Sequence, residues 1–220
     1  MRWLQFHDNM IEQQLARHGL KLGDICYILH THLHIDHAEQ DDKFPMNTTV
    51  VLNRREMEFS VSGIMFPQYR KPDIKHLVDR IYEPEAIRFL DLDITTAEEI
   101  IPGIRCAYAG AHTEGSMKVV VETAEGLACI CGDVIYDFND QVVNHIYTNN
   151  WMEPRVTGNH SQSKREEKGA IKKLLNNYTF LLPIHDKPAK IERQKVVGRL
   201  AMQVPGPLTE TLPDRPWFPV

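Results

Sequence analysis

Four cysteines in a chain of 220 residues are too few to staple a fold together, and the residues around them point the same way. Cys26, Cys129 and Cys131 lie in apolar, β-branched surroundings and read as buried thiols on strands, with Cys106 the fourth. Cys129 and Cys131 are two apart and point the same way on a strand, but no second Cys/His pair at matching spacing makes them a zinc knuckle. No apolar run approaches the roughly 18–20 residues of a membrane-spanning helix. The N-terminal MRWLQFHDNMIEQQ lacks the basic, apolar and small-residue order of a secretory signal. A reduced, cytoplasmic protein is expected. A basic excess is missing too. With 25 Lys+Arg against 30 Asp+Glu the net charge is −5, which speaks against a general nucleic-acid or anionic-membrane binder. No internal repeat and no separating linker is visible, so residues 1–220 read as a single domain, with 203–220 a proline-rich C-terminal tail laid over a surface.

What is present begins with ordinary globular usage, 42% hydrophobic and 25% charged residues. Residues 6–18 read as a helix with Met10, Ile11, Leu15 and His18 on one stripe. The run Ile25–Leu29 reads as a strand buried on both faces, and Thr49–Leu52 as a second strand. Residues 54–90 mix helical stretches with large apolar side chains, among them Met57, Phe59, Met65, Phe66 and Tyr69, read as core. Ile104–Ala109, Lys118–Glu122 and Leu127–Cys131 read as strands, the last two joined by a turn at Glu125-Gly126. Residues 164–177 read as a helix whose charge run, Lys164 to Lys168, is a solvated face. Tyr178–Ile184 is again strand-like. Strands alternating with helices make an α/β layered sandwich the expected fold class.

The sequence holds 11 histidines. His7, His18, His30, His76, His145 and His160 stand alone and read as satisfied polar residues. The cluster His32-x-His34-x-Asp36-His37 is different. Imidazole and carboxylate are the ligands a borderline divalent ion prefers, and zinc suits them best, with iron, cobalt or manganese also accommodated. On a loop after a strand, His32 and His34 can converge on one ion while Asp36 and His37, past a turn, face another. One ion would leave strong ligands idle, so the spacing favours two. Further ligands stand at strand ends: His112, Asp133 and His185. Asp133 is the natural bridge, since each of its oxygens can take one metal.

These residues, in this order, resemble the metallo-β-lactamase-fold hydrolase superfamily, over residues 25–186. Within it the likeness is to N-acyl-homoserine lactone lactonases, which place a tyrosine three residues after the bridging aspartate, as in Asp133-Val134-Ile135-Tyr136 here. The stretches Phe44-Pro45, Thr48–Leu52 and Arg55–Glu58 resemble the segment after their first motif. The resemblance implies an αββα sandwich in which His32, His34 and His112 hold one metal, Asp36, His37 and His185 the other, and Asp133 and a water bridge them. It also implies catalytic roles for Asp133, Tyr136 and Asp36: hydroxide attacks a carbonyl polarised by a metal and the Tyr136 hydroxyl, and the leaving alkoxide is protonated through Asp36.

Three features depart from that pattern. Glu114-Gly115 stands where the family has Pro-Gly, 52 residues separate Asp133 from His185 with an insertion around 139–163, and only 31 residues precede His32. The expectation is therefore a sandwich lacking part of its N-terminal sheet, through shortening of the chain or completion by a partner subunit, and a homodimer. The expected partner is a small-molecule lactone or ester. A thioester, a β-lactam or another ester is the alternative substrate class, and a catalytically inactive, metal-stabilised scaffold subunit is the alternative of a different kind.

Overall fold

The computed structural model describes residues 10–64, 68–143, 146–148, 151–154 and 163–200. The chain opens with helix α1 (Ile11–Ala16), strand β1 (Tyr27–Leu29), helix α2 (Ile35–Ala38), strand β2 (Thr49–Asn53), helices α3 (Arg54–Ser60) and α4 (Lys71–Ile81) and strand β3 (Ile87–Leu90). Helix α5 (Leu92–Thr95) then leads into four strands: β4 (Ala97–Ile101), β5 (Ile104–Tyr108), β6 (Met117–Thr123) and β7 (Gly126–Gly132). A two-stranded ribbon, β8 (Ile146–Thr148) and β9 (Trp151–Glu153), precedes helix α6 (Lys164–Asn177) and strands β10 (Phe180–Pro183), β11 (Ala189–Glu192) and β12 (Lys195–Arg199). The expected insertion around 139–163 thus holds a π-helical turn at Asn139–Val143 and this ribbon.

Two sheets face each other. The small one has parallel strands in the order β1-β2-β3; the large one has seven strands in the order β12-β11-β10-β7-β6-β5-β4. Leu29, Val51 and Leu90 of the small sheet meet Cys106, Met117 and Val119 of the large sheet in the central core layer. Outside the small sheet, Val50, Leu52, Ile74 and Leu77 pack together with Phe59 and Tyr69. Outside the large sheet, Cys129, Cys131 and Leu181 pack against Ala170, Ile171, Leu174 and Leu175 of α6. Alternation on β2 explains the layering, since successive side chains point to opposite faces. Each such Val or Leu stabilises the fold by about 1.5–3 kcal/mol through burial. The layers read helix, sheet, sheet, helix, the α/β sandwich expected from the sequence.

Several expectations need correction. The run Ile25–Leu29 is not a strand buried on both faces: only Tyr27–Leu29 pairs, at the edge of the small sheet, and Tyr27 is exposed. Cys26 is exposed as well, so the buried thiols are Cys106, Cys129 and Cys131. Within the charge run of α6, Glu167 is buried rather than solvated. The capping box between Ser163 and Glu166 starts this helix where the sequence places it. Of the N-terminal helix, Ile11–Ala16 is present, and none of its residues is buried. Residues 6–9, Met65, Phe66, His7, His145, His160 and the tail 203–220 lie outside the described residues.

Candidate metal centre

Parallel register gathers the candidate residues at one end of both sheets. In the large sheet β5 and β7 run the same way, since both are antiparallel to β6, and β10 is parallel to β7. Their C-terminal ends therefore deliver His112, Asp133 and His185 to one edge, with Pro183 in register with Gly132. From the small sheet, β1 runs into His32 and His34, and α2 carries Asp36 and His37. Leu33, between the two histidines, is fully buried in the core outside the small sheet, which turns its neighbours toward the site.

Close approach makes this convergence possible. Gly132 has φ +56°, and a Cβ there would lie 2.9 Å from Thr31 Oγ1. Only glycine lets the end of β7 come this near to the strand end that bears His32. His112 itself has φ +79°, a left-handed conformation that L-residues rarely adopt. The surrounding turn holds it there.

All seven predicted ligands meet. His112 Nε2 lies 3.0 Å from both His32 Nε2 and His34 Nδ1. Asp133 Oδ2 lies 3.2 Å from His185 Nε2, 3.4 Å from His37 Nε2, 3.5 Å from His112 Nε2 and 3.7 Å from His32 Nε2. Asp36 reaches His185 at 3.5 Å and His37 at 3.7 Å. The donors fall into three overlapping groups: His32, His34 and His112; His32, His37 and Asp133; Asp36, His37 and His185. The first group is buried, whereas the Asp36 side chain is 50% exposed and that of His185 is 32% exposed.

The donor set fits a divalent cation. Nitrogens about 2.0–2.1 Å from a tetrahedral ion stand about 3.3 Å apart, close to the separations found here. Asp133 Oδ1 is buried without a hydrogen-bond partner among the described residues, an arrangement a cation would satisfy. Burial, then the neighbouring imidazoles, hold His32 far below the usual histidine range, so its imidazole is neutral at pH 7, the form that can ligate a metal. Burial works to raise Asp133, but the hydrogen bond and charge of His37, with His112 and His185, win and hold it at about 2.

Tyr136 stands beside this centre. Its ring stacks on His185, and it lies 5.9 Å from the His112 ring centroid. Burial, together with Asp133, pushes its phenol above the usual range, so its O–H stays protonated. Gln141 shapes this loop: its Oε1 accepts from Tyr136 N at 2.6 Å and Asp137 N at 3.2 Å.

Sequence reading assigned no role to several residues that build the site. Glu56, fully buried, accepts from Leu33 N, Tyr69 O–H and Thr113 O–H. Asp186 accepts from Phe138 N at 2.8 Å and pairs with Arg199, which also lies over the Phe138 ring. His30 is the satisfied polar residue expected, 2.6 Å from Asp41. His76 accepts from Arg80, a buried cation that donates to the carbonyls of Thr48, Phe44 and Ala86. A buried acid inside a helix carries no periodic signal, and only its tertiary partners reveal it.

The profile of the metallo-beta-lactamase superfamily matches residues 3–168. The chain belongs to that superfamily. Relatives include an N-acyl homoserine lactonase of Bacillus cereus, 30% identical over 133 residues, covering 58% of this chain and 47% of the relative. An N-acyl homoserine lactonase of Bacillus thuringiensis is 29% identical over 140 residues, covering 61% and 50%. The chain thus spans about half the length of the curated relatives it matches. Among solved structures, an N-acyl homoserine lactone hydrolase with N-hexanoyl-L-homoserine at its catalytic metal center matches with TM-score 0.54 and 22% identity, covering 76% of this chain and 57% of that one. A probable metal-dependent hydrolase from Staphylococcus aureus matches with TM-score 0.60 and 18% identity, covering 88% and 68%. At these identities the structural likeness is one of fold. Among the described residues no helix is long and apolar enough to cross a membrane.

Proposed function

We propose that this protein is a dinuclear metal-dependent hydrolase that opens a lactone or a similar small ester. The observation that carries the reading is the position of Asp133 Oδ2, within 3.7 Å of four imidazoles drawn from both sheets. One carboxylate so placed suits a bridge between an ion held by His32, His34 and His112 and a second held by Asp36, His37 and His185. Zinc is the ion the ligand chemistry favours. When bound, such a pair supplies a water nucleophile at neutral pH and a Lewis acid for the substrate carbonyl.

The side chains around the pair do the rest. The protonated Tyr136 hydroxyl donates a hydrogen bond to the carbonyl oxygen as negative charge develops on it. Asp36, half exposed at the open side, would take the proton the attacking water gives up and pass it to the leaving alkoxide. No covalent link between substrate and chain is needed. The likeness to named lactonases supports the lactone, and we take residues 1–220, with the tail 203–220, as one domain that carries this activity.

The test is hydrolysis by metal-loaded protein, followed as acid release on short- and long-chain lactones beside ester, thioester and β-lactam panels. Turnover of lactones that disappears in Asp133→Ala is expected. Turnover confined to another panel would move the substrate class. A metal-stabilised scaffold would show no hydrolysis in wild type or variant.

A further inference from the structure

The two segments that bring the buried imidazoles together belong to different sheets, and they meet on one acid. Glu56 on α3 is 1% exposed. Its Oε1 accepts from Leu33 N at 2.9 Å, the peptide between His32 and His34, and from Tyr69 O–H at 2.9 Å. The Tyr69 ring in turn packs edge-on against His34, with centroids 5.0 Å apart. Oε2 accepts from Thr113 Oγ1, the residue after His112, at 2.5 Å. A Cβ on Gly115 would lie 2.0 Å from Glu56 N, so this turn can sit on α3 only because it has glycine there. Asn53, one turn earlier in the chain, reinforces the seat by donating to Gly115 O at 3.0 Å.

Every contact made by the Glu56 side chain is therefore with a donor, and the donors lie next to His32, His34 and His112. Only an ionised carboxylate accepts at both oxygens without offering a proton of its own. An amide would have to turn its NH2 either toward Leu33 N and Tyr69 O–H or toward Thr113, and so would change at least one of these bonds. Glu56 belongs to none of the converging ligand groups, so its effect on an ion is indirect.

We propose that Glu56 is a positioning residue that holds the His32–His34 segment and the His112 turn at their metal-binding separation, and so sets the affinity of the buried ion. The inference rests on the reading that these three histidines bind a metal.

The test compares wild type, Glu56→Gln and Thr113→Val by zinc competition against a chromophoric chelator and by the visible absorption of cobalt(II)-loaded protein. The expected result is a dissociation constant for the tighter ion raised about 10- to 100-fold in Glu56→Gln, with a changed cobalt(II) spectrum. Thr113→Val, which removes one donor and keeps the shape, is expected to shift both in the same direction by less. Should Glu56→Gln fail to fold, Thr113→Val decides the matter. Variants that bind zinc as wild type does, with the same cobalt(II) spectrum, would overturn the inference even if they melt earlier, because the acid would then serve only the core. Wild-type protein that binds no zinc would instead overturn the metal reading, and the inference with it.

Discussion

The phenol ring of Tyr136 stacks on the imidazole of His185, with centroids 4.8 Å apart and planes 8° from parallel. Two residues from different loops are thus held face to face. The hydroxyl and the ring of Tyr136 can be separated by mutation. Tyr136→Phe keeps the stack and loses the donor, so kcat is expected to fall about 10²–10³-fold, with metal content unchanged. Steady-state kinetics on the best lactone checks it; full kcat in the phenylalanine variant would remove Tyr136 from the reaction.

Burial differs sharply between the ligand groups. His32, His34 and His112 are 1–5% exposed, against 50% for the Asp36 side chain and 32% for that of His185. On the proposed dinuclear reading, chelation is expected to strip metal in two separate phases, the open site first. Metal analysis of samples withdrawn during dialysis against a chelator would show this, and a single phase would mean that the sites empty together.

Thiol chemistry follows the corrected cysteine assignment. Burial pushes the Cys106 and Cys129 thiols up to about 12 and holds the Cys131 thiol well above the ordinary range, while Cys26 is exposed. Thiolate is the reactive form. Native protein is therefore expected to show one fast-reacting thiol toward a disulfide reagent, and to show no more when the pH is raised from 7 to about 9. All four should react after denaturation. Fast reaction of a second thiol in native protein would contradict the packing beneath α6 or between the sheets.

Asp186 gives the fold an acid-sensitive tie. Burial works to raise its carboxyl, but hydrogen bonds from Phe138 N, Lys187 N and Arg199, with the arginine's charge, hold it below the usual range. A carboxylate with a lowered folded pKa stabilises the fold above its unfolded value of about 3.9, and that contribution is lost as pH falls toward the folded value. Urea midpoints of metal-free protein are expected to drop more steeply below about pH 4 in wild type than in Asp186→Asn. Parallel curves would mean that Asp186 ionises alike in both states.

Much of the centre was legible because its signal is local. Four candidate ligands within six residues, and single His or Asp residues directly after apolar runs, stand out without knowledge of what they touch. The helix at 164–177 was equally legible, since Ser163, Glu166 and the apolar spacing all act within the helix itself. Edge and interior strands, in contrast, share one apolar signature, so Cys26 and Tyr27 read as buried from the sequence; their exposure depends on β1 having, among the described residues, a neighbour on one side only.

The amino-acid order alone determined the chemistry on offer, the ligand types and the strand ends that would bear them, because residue identity and hydrophobic spacing are properties of adjacent positions. Tertiary structure decided which donors lie within reach of one another, how Asp133 comes to face four imidazoles, and that Glu56 and Asp186 brace the loops around them. Those relations join positions up to 149 residues apart, Asp36 to His185 being the longest, and they exist only once parallel strands and a glycine-permitted close approach bring the two sheets together.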